Sequence, residues 1–502
     1  MTLPRRDFLG RALLAPLPAG LLAPAAAAAQ SPQSAQAGTP DGGGANERRR
    51  AKLPPPSTRQ HVLELPGRTL RFTTIAGSVT LTDGKGEPEA EIGYVAYRLD
   101  GEAARRPVTF ALNGGPGSAS AWLHLGVMGP WRLPFDGAAV APSAPAVVEE
   151  NPDTWLDFTD MVFIDPVGTG YSRFLGEGEA VRKRHWSVDG DINAIAQAIR
   201  RWLQEAGRMA SPKYLVGESY GGFRGPRLVR TLATSHGVGI RGLVLVSPVL
   251  DFGGRSQALE PLYWAFVLPT LAAAARNAES RAEVADAEAY AGSDYVVDLL
   301  AGNADAAVVE RRSRRVAELT GLDPAVVRRH GGRVDGPIFV RNHGPGRLES
   351  LYDLSVSMPD PVPTALFDHQ PDPITGALVA PLEAAMVDTY TQRLGWRVEA
   401  PYALLNNAVA RGWEWGDGRT APEAVSHLRT ALALDPHLRV LVVHGLYDVV
   451  TPYFRTKLHL DTIEPGAGAA RARLVAYPGG HMFYSRDAVR PMFRAEAAKL
   501  YA

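Results

Sequence analysis

Six apolar runs of strand length constrain the fold of this chain more than any other feature. They are "PVTFALN" (107–113), "DMVFID" (160–165), "YLVGES" (214–219), "GLVLVSPVL" (242–250), "RVLVVHG" (439–445) and "RLVAYPG" (473–479). Each is continuous rather than alternating, as in strands buried on both faces of a parallel sheet between layers of helix. Helix-like segments separate them. "DINAIAQAIRRWLQEA" (191–206) sets Ile192, Ile195, Ala196, Ile199 and Leu203 on one face and leads into the 214–219 run, as a crossover helix does. The predicted class is α/β, a mostly parallel central sheet flanked by helices.

Two intervals break this rhythm. From 61 to 99, short β-type runs alternate with turn signals such as "TDGKGEPE", which predicts an antiparallel sheet. From 252 to 401 the chain is helix-like, charged and proline-rich, with few long apolar runs, and the strand pattern resumes only at Arg439. An inserted, largely helical cap over the carboxyl edge of the sheet is expected there, because open α/β sheets place their sites at that edge. The expected division is a core of 61–251, a cap of 252–401 and a second core part of 402–502. Residues 30–60, rich in Ser, Gln, Gly and Pro before a basic "ERRR", read as a disordered linker.

Ahead of that linker, residues 1–29 have the order of a cleavable export signal. Arg5 and Arg6 precede a mild Leu/Ala/Pro/Gly stretch that ends in Ala-x-Ala near Ala27–Ala29. The arginine pair resembles the twin-arginine motif, which makes the twin-arginine export machinery an expected partner and the periplasm or exterior the expected location. Pro16, Pro18 and Pro24 interrupt the stretch, so no stable membrane insertion is expected after cleavage. A second Ala-x-Ala ends at Ala37 and offers an alternative cut.

Charge balance narrows the function classes. Lys+Arg and Asp+Glu both number 53, so no bulk charge directs the chain to nucleic acid. The absence of cysteine excludes disulfides and thiolate nucleophiles. The histidines show no metal-ligand spacing, "DGGG" at 41–44 does not lie between strand and helix, and no metal or cofactor is expected.

The chemistry concentrates at strand ends. In "YLVGESYGGFRG" (214–225) a strand stops at Gly217, and Ser219 is fenced by Gly217 and Gly221. Strand, Gly-x-Ser-x-Gly and helix make a nucleophile elbow, whose tight turn holds the serine Oγ at the top of the sheet. A neutral hydroxyl needs a base, and the base needs an orienting acid. Asp448 follows the 439–445 run and His481 follows the 473–479 run, giving the order Ser, Asp, His. His444 lies within its strand and before Asp448, the wrong place for the base. An oxyanion needs donors, expected from the backbone N–H of Tyr220 and of Gly115 in the glycine-rich loop "FALNGGPGSAS" (110–120).

Taken together, "LNGGPGSAS", "NPDTW", "VFIDPVGTGYS", "GESYGG", "HGLYDVVTP" and "GGHMF" resemble the serine carboxypeptidase family, peptidase family S10. The resemblance covers about 107–250 and 439–484, with a weaker trace at "LLNNAVARGWEWG". It implies an α/β-hydrolase fold with an inserted cap, and removal of C-terminal residues from peptides through an acyl-enzyme. Carried over by motif, Ser219 is nucleophile, His481 base and Asp448 its orienting acid, while Gly115 and Tyr220 line the oxyanion hole. Asn113, Gly114 and Glu218 then bind the substrate's terminal carboxylate, Glu218 in its protonated form. Three positions depart from the family pattern: Ala111 stands where tryptophan is usual, Ser118 where cysteine is usual, and Val127 where a second glutamate is expected. An esterase or acyltransferase on the same fold, a proline-specific aminopeptidase and a catalytically dead binding protein are the competing readings. The aminopeptidase group usually carries histidine where Asn113 stands.

Overall fold

The computed structural model describes residues 52–502 apart from 102–104, 135–140, 144, 177, 255–259 and 365–371. The expected export signal at 1–29, the "ERRR" cluster and both Ala-x-Ala sites lie outside the described residues.

Among the described residues, ten strands form the central sheet. Three long antiparallel strands lead in: β1 (Ser57–Leu65), β2 (Arg68–Thr82) and β3 (Pro88–Leu99). The parallel strands follow as β4 (Val108–Leu112), β7 (Asp160–Ile164), β9 (Lys213–Glu218), β10 (Gly242–Val246), β13 (Arg439–Gly445) and β14 (Ala472–Tyr477), all buried but the last, which is largely half-exposed at the sheet's edge. The short pair β5 (Trp131–Arg132) and β6 (Glu149–Glu150) and the hairpin β11 (Arg347–Glu349) and β12 (Ser357–Pro359) lie apart, while the two-residue β8 (Arg173–Phe174) pairs with β3. The main order is β1-β2-β3-β7-β4-β9-β10-β13-β14, parallel from β7 to β14.

The continuous apolar runs have the reason anticipated for them except the 473–479 run, whose strand β14 pairs on one side only and stays half-exposed. Along β10, Leu243 and Leu245 enter one core while Val244 and Val246 enter the other, and β13 divides Val440 and Val442 from Leu441 and Val443 in the same way. Period-2 alternation is invisible in such a strand because both faces are buried. The crossover helix, Val188–Glu205, lays Ile192, Ile195, Ile199 and Leu203 into the second core, and Ser187 caps it by accepting from the Gly190 N–H.

Two boundaries differ from expectation. Part of the 30–60 stretch is ordered. Leu53 N–H donates to Glu91 at 2.8 Å, and β1 starts at Ser57, paired with Ala76. The polar "STRQ" of this outer strand faces solvent on both sides, so no hydrophobic alternation marks it. The 242–250 run stops being strand at Val246, where Ser247 turns to φ 42 and Pro248 removes a ladder donor.

Between β10 and β13, which are parallel neighbours, the chain builds helices at Pro261–Arg276, Ala306–Thr320 and Pro373–Asp388 with shorter ones among them. Their core takes in Leu446, Tyr447, Tyr453 and Phe454 from beyond β13. The inserted elements thus pack on the carboxyl edge of the sheet. No helix among the described residues is long and apolar enough to cross a membrane.

Candidate active site

Ser219 sits at the end of β9 with φ 60 and ψ −119, a conformation rarely adopted by a residue with a side chain. Three backbone bonds hold it there: its N–H donates to Val246 O at 2.9 Å, and its carbonyl accepts from Gly222 at 2.9 Å and Val249 at 3.2 Å. The fencing glycines are steric requirements. A Cβ at Gly217 would lie 2.1 Å from Gly221 O, and one at Gly221 would lie 2.3 Å from Leu112 O. The elbow helix, Tyr220–Ser235, starts at once.

The glycine loop after β4 lies against this turn. A Cβ at Gly114 would lie 2.5 Å from Tyr220 N and 2.9 Å from Ser219 Cβ, so only glycine brings the loop so close to the serine. Arg224, fully buried in the elbow helix, ties the loop down: it donates to Asn113 O at 2.5 Å and pairs with Asp191 of the crossover helix at 2.7 Å.

Asp448 and His481 meet on the neighbouring loops. His481 Nδ1 and Asp448 Oδ2 are 2.7 Å apart, and both residues are buried. Thr451 supplies two further bonds to the carboxylate, from its N–H at 3.0 Å and its hydroxyl at 2.6 Å. Burial alone would lower the His481 pKa, but the adjacent Asp448 carboxylate and its hydrogen bond, helped by Glu218, raise it above the ordinary value. Ser219 Oγ makes no hydrogen bond among the described residues, so the hydrogen bonds join Asp448 to His481 but not His481 to Ser219. His444 stays in β13 with its Nε2 3.0 Å from Thr456 Oγ1, and burial lowers its pKa to about 4.

Glu218 is buried beside the serine, and desolvation pushes its pKa up to about 7, against the opposing pull of His481, Tyr484 and Asn113. Asn113 is fixed by its Oδ1, which accepts from Leu123 N at 3.0 Å. Val127 is fully buried in the turn His124–Met128, which packs against the turn carrying Tyr484. Tyr484 donates its hydroxyl to Glu218 at 2.7 Å. Sequence reasoning missed Tyr484, Thr451 and Arg224. Only Thr451 had a signal, three residues beyond Asp448 in a turn where hydroxyls commonly bond carboxylates.

The serine carboxypeptidase family model matches residues 66–276. The match holds Ser219, the glycine loop and Glu218, and ends before Asp448 and His481. The chain is 29% identical over 188 residues to serine carboxypeptidase 1 of Hordeum vulgare, covering 36% of this chain and 33% of that protein. It is 25% identical over 188 residues to pheromone-processing carboxypeptidase kex1 of Schizosaccharomyces japonicus (37% and 33%). With serine carboxypeptidase-like 36 of Arabidopsis thaliana it shares 23% over 208 residues (40% and 40%). The chain therefore spans only 33–40% of the length of these curated relatives. Among solved structures, KEX1(delta)p, a prohormone-processing carboxypeptidase from Saccharomyces cerevisiae, aligns with a TM-score of 0.56 at 13% identity, over 86% of this chain and 91% of that one. At that identity the likeness is one of fold.

Proposed function

We propose that the chain is a member of the serine carboxypeptidase family, whose model matches residues 66–276, and that it is an exported enzyme that removes C-terminal residues from peptides through an acyl-enzyme on Ser219. In this reading His481 Nε2 takes the Ser219 proton as Oγ attacks the scissile carbonyl carbon. The Gly115 and Tyr220 N–H groups hold the resulting oxyanion. The C–N bond breaks as His481 returns the proton to the leaving amine. Water, deprotonated by the same histidine, then hydrolyses the ester and restores the serine. Asp448 keeps the imidazole oriented and stabilises its cation.

The observation that carries the carboxypeptidase reading is the buried Glu218, with its pKa near 7, one residue from the nucleophile. A protonated carboxyl can donate to a substrate carboxylate, and an ionised one repels it. The arriving substrate charge raises the Glu218 pKa further and favours the form with the proton on Glu218 and a neutral His481. Asn113 and Gly114 complete that pocket. Val127 puts an apolar side chain where a second carboxyl would sharpen the preference for free acids, and this favours esters as additional substrates. The export signal at 1–29, the linker ahead of β1, the cap of 252–401 and delivery by the twin-arginine machinery to the periplasm or exterior belong to the same reading.

The deciding experiment compares pH profiles of kcat/KM for a blocked peptide acid and its amide. Activity on the acid should fall as pH rises through about 7, while the amide should not show that loss. Glu218→Gln keeps a donor and should flatten the alkaline fall for the acid alone. Parallel profiles that the substitution leaves unmoved would remove the carboxypeptidase reading.

A further inference from the structure

The tip of the inserted β11–β12 hairpin grips both catalytic loops. Of the four consecutive residues 351–354, Leu351 O accepts from Val449 N at 3.1 Å and Leu354 N donates to Tyr447 O at 3.2 Å. These bonds take hold of both neighbours of Asp448. Between them, Tyr352 O accepts from His481 N at 2.6 Å, and the Asp353 carboxylate accepts from Gly480 N at 2.8 Å. The Tyr352 ring stands edge-on to the His481 imidazole, with centroids 5.4 Å apart. Contact is so close that a Cβ at Gly480 would lie 2.0 Å from Tyr352 O and 2.3 Å from Asp353 Cβ.

The tip is itself braced. Ser350, fully buried, donates to Asp372 at the N-cap of the Pro373–Asp388 helix, and Leu351 N donates to the same carboxylate at 2.9 Å. Asp353 accepts from the Ser355 N–H and hydroxyl with its other oxygen and lies 3.4 Å from Arg486, on the far side of the base loop. The tip therefore bridges the acid and base loops from the insertion's side.

We propose that Leu351–Leu354 is a positioning clamp that sets the Asp448–His481 geometry, with Asp353 as its principal side chain. The insertion is then part of the machinery that aligns the base, in addition to any role in choosing substrate. This inference rests on the triad reading above. Asp353 touches neither substrate nor the reacting atoms and acts through the Gly480 N–H. Misplacing a catalytic group by about 1 Å costs about a hundredfold.

The test measures kcat and KM on a blocked peptide acid, and the rate at which a fluorophosphonate labels Ser219, in the full chain. Asp353→Ala should lower kcat and the labelling rate by between about tenfold and about a hundredfold while KM stays within about twofold. Asp353→Asn retains an acceptor for Gly480 and should recover most of the loss. Where Asp353→Ala does not fold, Asp353→Leu, close to aspartate in size but with no acceptor for Gly480 N, carries the same expectation. A folded variant with wild-type kcat and labelling rate overturns the clamp, as does a loss confined to KM. His481→Ala separates this failure from that of the triad: if it is inactive while Asp353→Ala is unimpaired, only the clamp falls, and if it keeps wild-type turnover, the triad reading falls.

Discussion

At the scale of single residues, Ser219 and Tyr484 make different demands on the same pocket. Ser219→Ala should abolish turnover and leave the fold intact, with only the roughly 10³–10⁴-fold acceleration over water that binding and oxyanion donors supply in comparable triads. Circular dichroism and single-turnover kinetics on purified protein check both halves. Tyr484 stabilises the ionised form of Glu218, so its loss should raise the Glu218 pKa beyond about 7. Tyr484→Phe should move the alkaline limb for a peptide acid upward by on the order of one unit, about 1.4 kcal/mol, without moving the amide profile. An unmoved limb would mean that the hydroxyl does not tune Glu218. The two residues were not equally legible. Ser219, Asp448 and His481 each follow a recognisable strand, and each loop has a local reason to turn. Tyr484 and Asp353 act through contacts that exist only after the sheet has assembled, and neither sits in a pattern that spacing could flag.

At the scale of elements, the Arg224–Asp191 pair joins the crossover helix, the elbow helix and the glycine loop at one buried point. Burial pushes the Asp191 pKa up even with the guanidinium beside it. Removing the arginine would strand a carboxylate in the core. Arg224→Leu should therefore cost about 3–5 kcal/mol of unfolding free energy at pH 7, read by urea denaturation, and Asp191→Asn added to it should return part of that loss. Elements of this kind were readable where a run is both long and apolar. The 160–165, 214–219 and 439–445 runs became β7, β9 and β13 within a residue of their predicted ends. The three-residue strands β11 and β12 were not foreseen, because "RLE" and "SMP" are too short and mixed to show a period.

Across the whole molecule, two sets of buried groups oppose each other in pH. Burial lowers His124 to about 3 and His444 and His459 to about 4, so their neutral forms stabilise the fold above pH 6.5 and that contribution is lost as pH falls toward those values. Glu218 and Asp165 are raised to about 7, so they hold protons in the fold that the unfolded chain releases near pH 4. Their contribution is complete below pH 4 and is lost as pH rises to about 7. Thermal stability should therefore peak close to neutrality. Glu218→Gln, which never has to bury a charge, should gain more in Tm at pH 8 than at pH 5. Equal gains at both values would show that Glu218 is not held neutral by its surroundings.

The order of the strands has one more consequence, which concerns how the chain could be divided. In the proposed reading the nucleophile Ser219 and the carboxylate-binding Asn113, Gly114 and Glu218 all lie before the insertion's first helix ends at Arg276. Leu351–Leu354, Asp448 and His481 all lie after Thr320, where the next long helix of the insertion ends. A cut in the exposed turn between Leu300 and Ala306 would leave two fragments with complementary halves of one active site. Neither half could turn over alone. Their meeting surface would include the parallel β10–β13 seam, whose five paired positions are buried on the β10 side. Turnover would then depend on the concentration of both pieces, and the enzyme would become a reporter of its own reassembly.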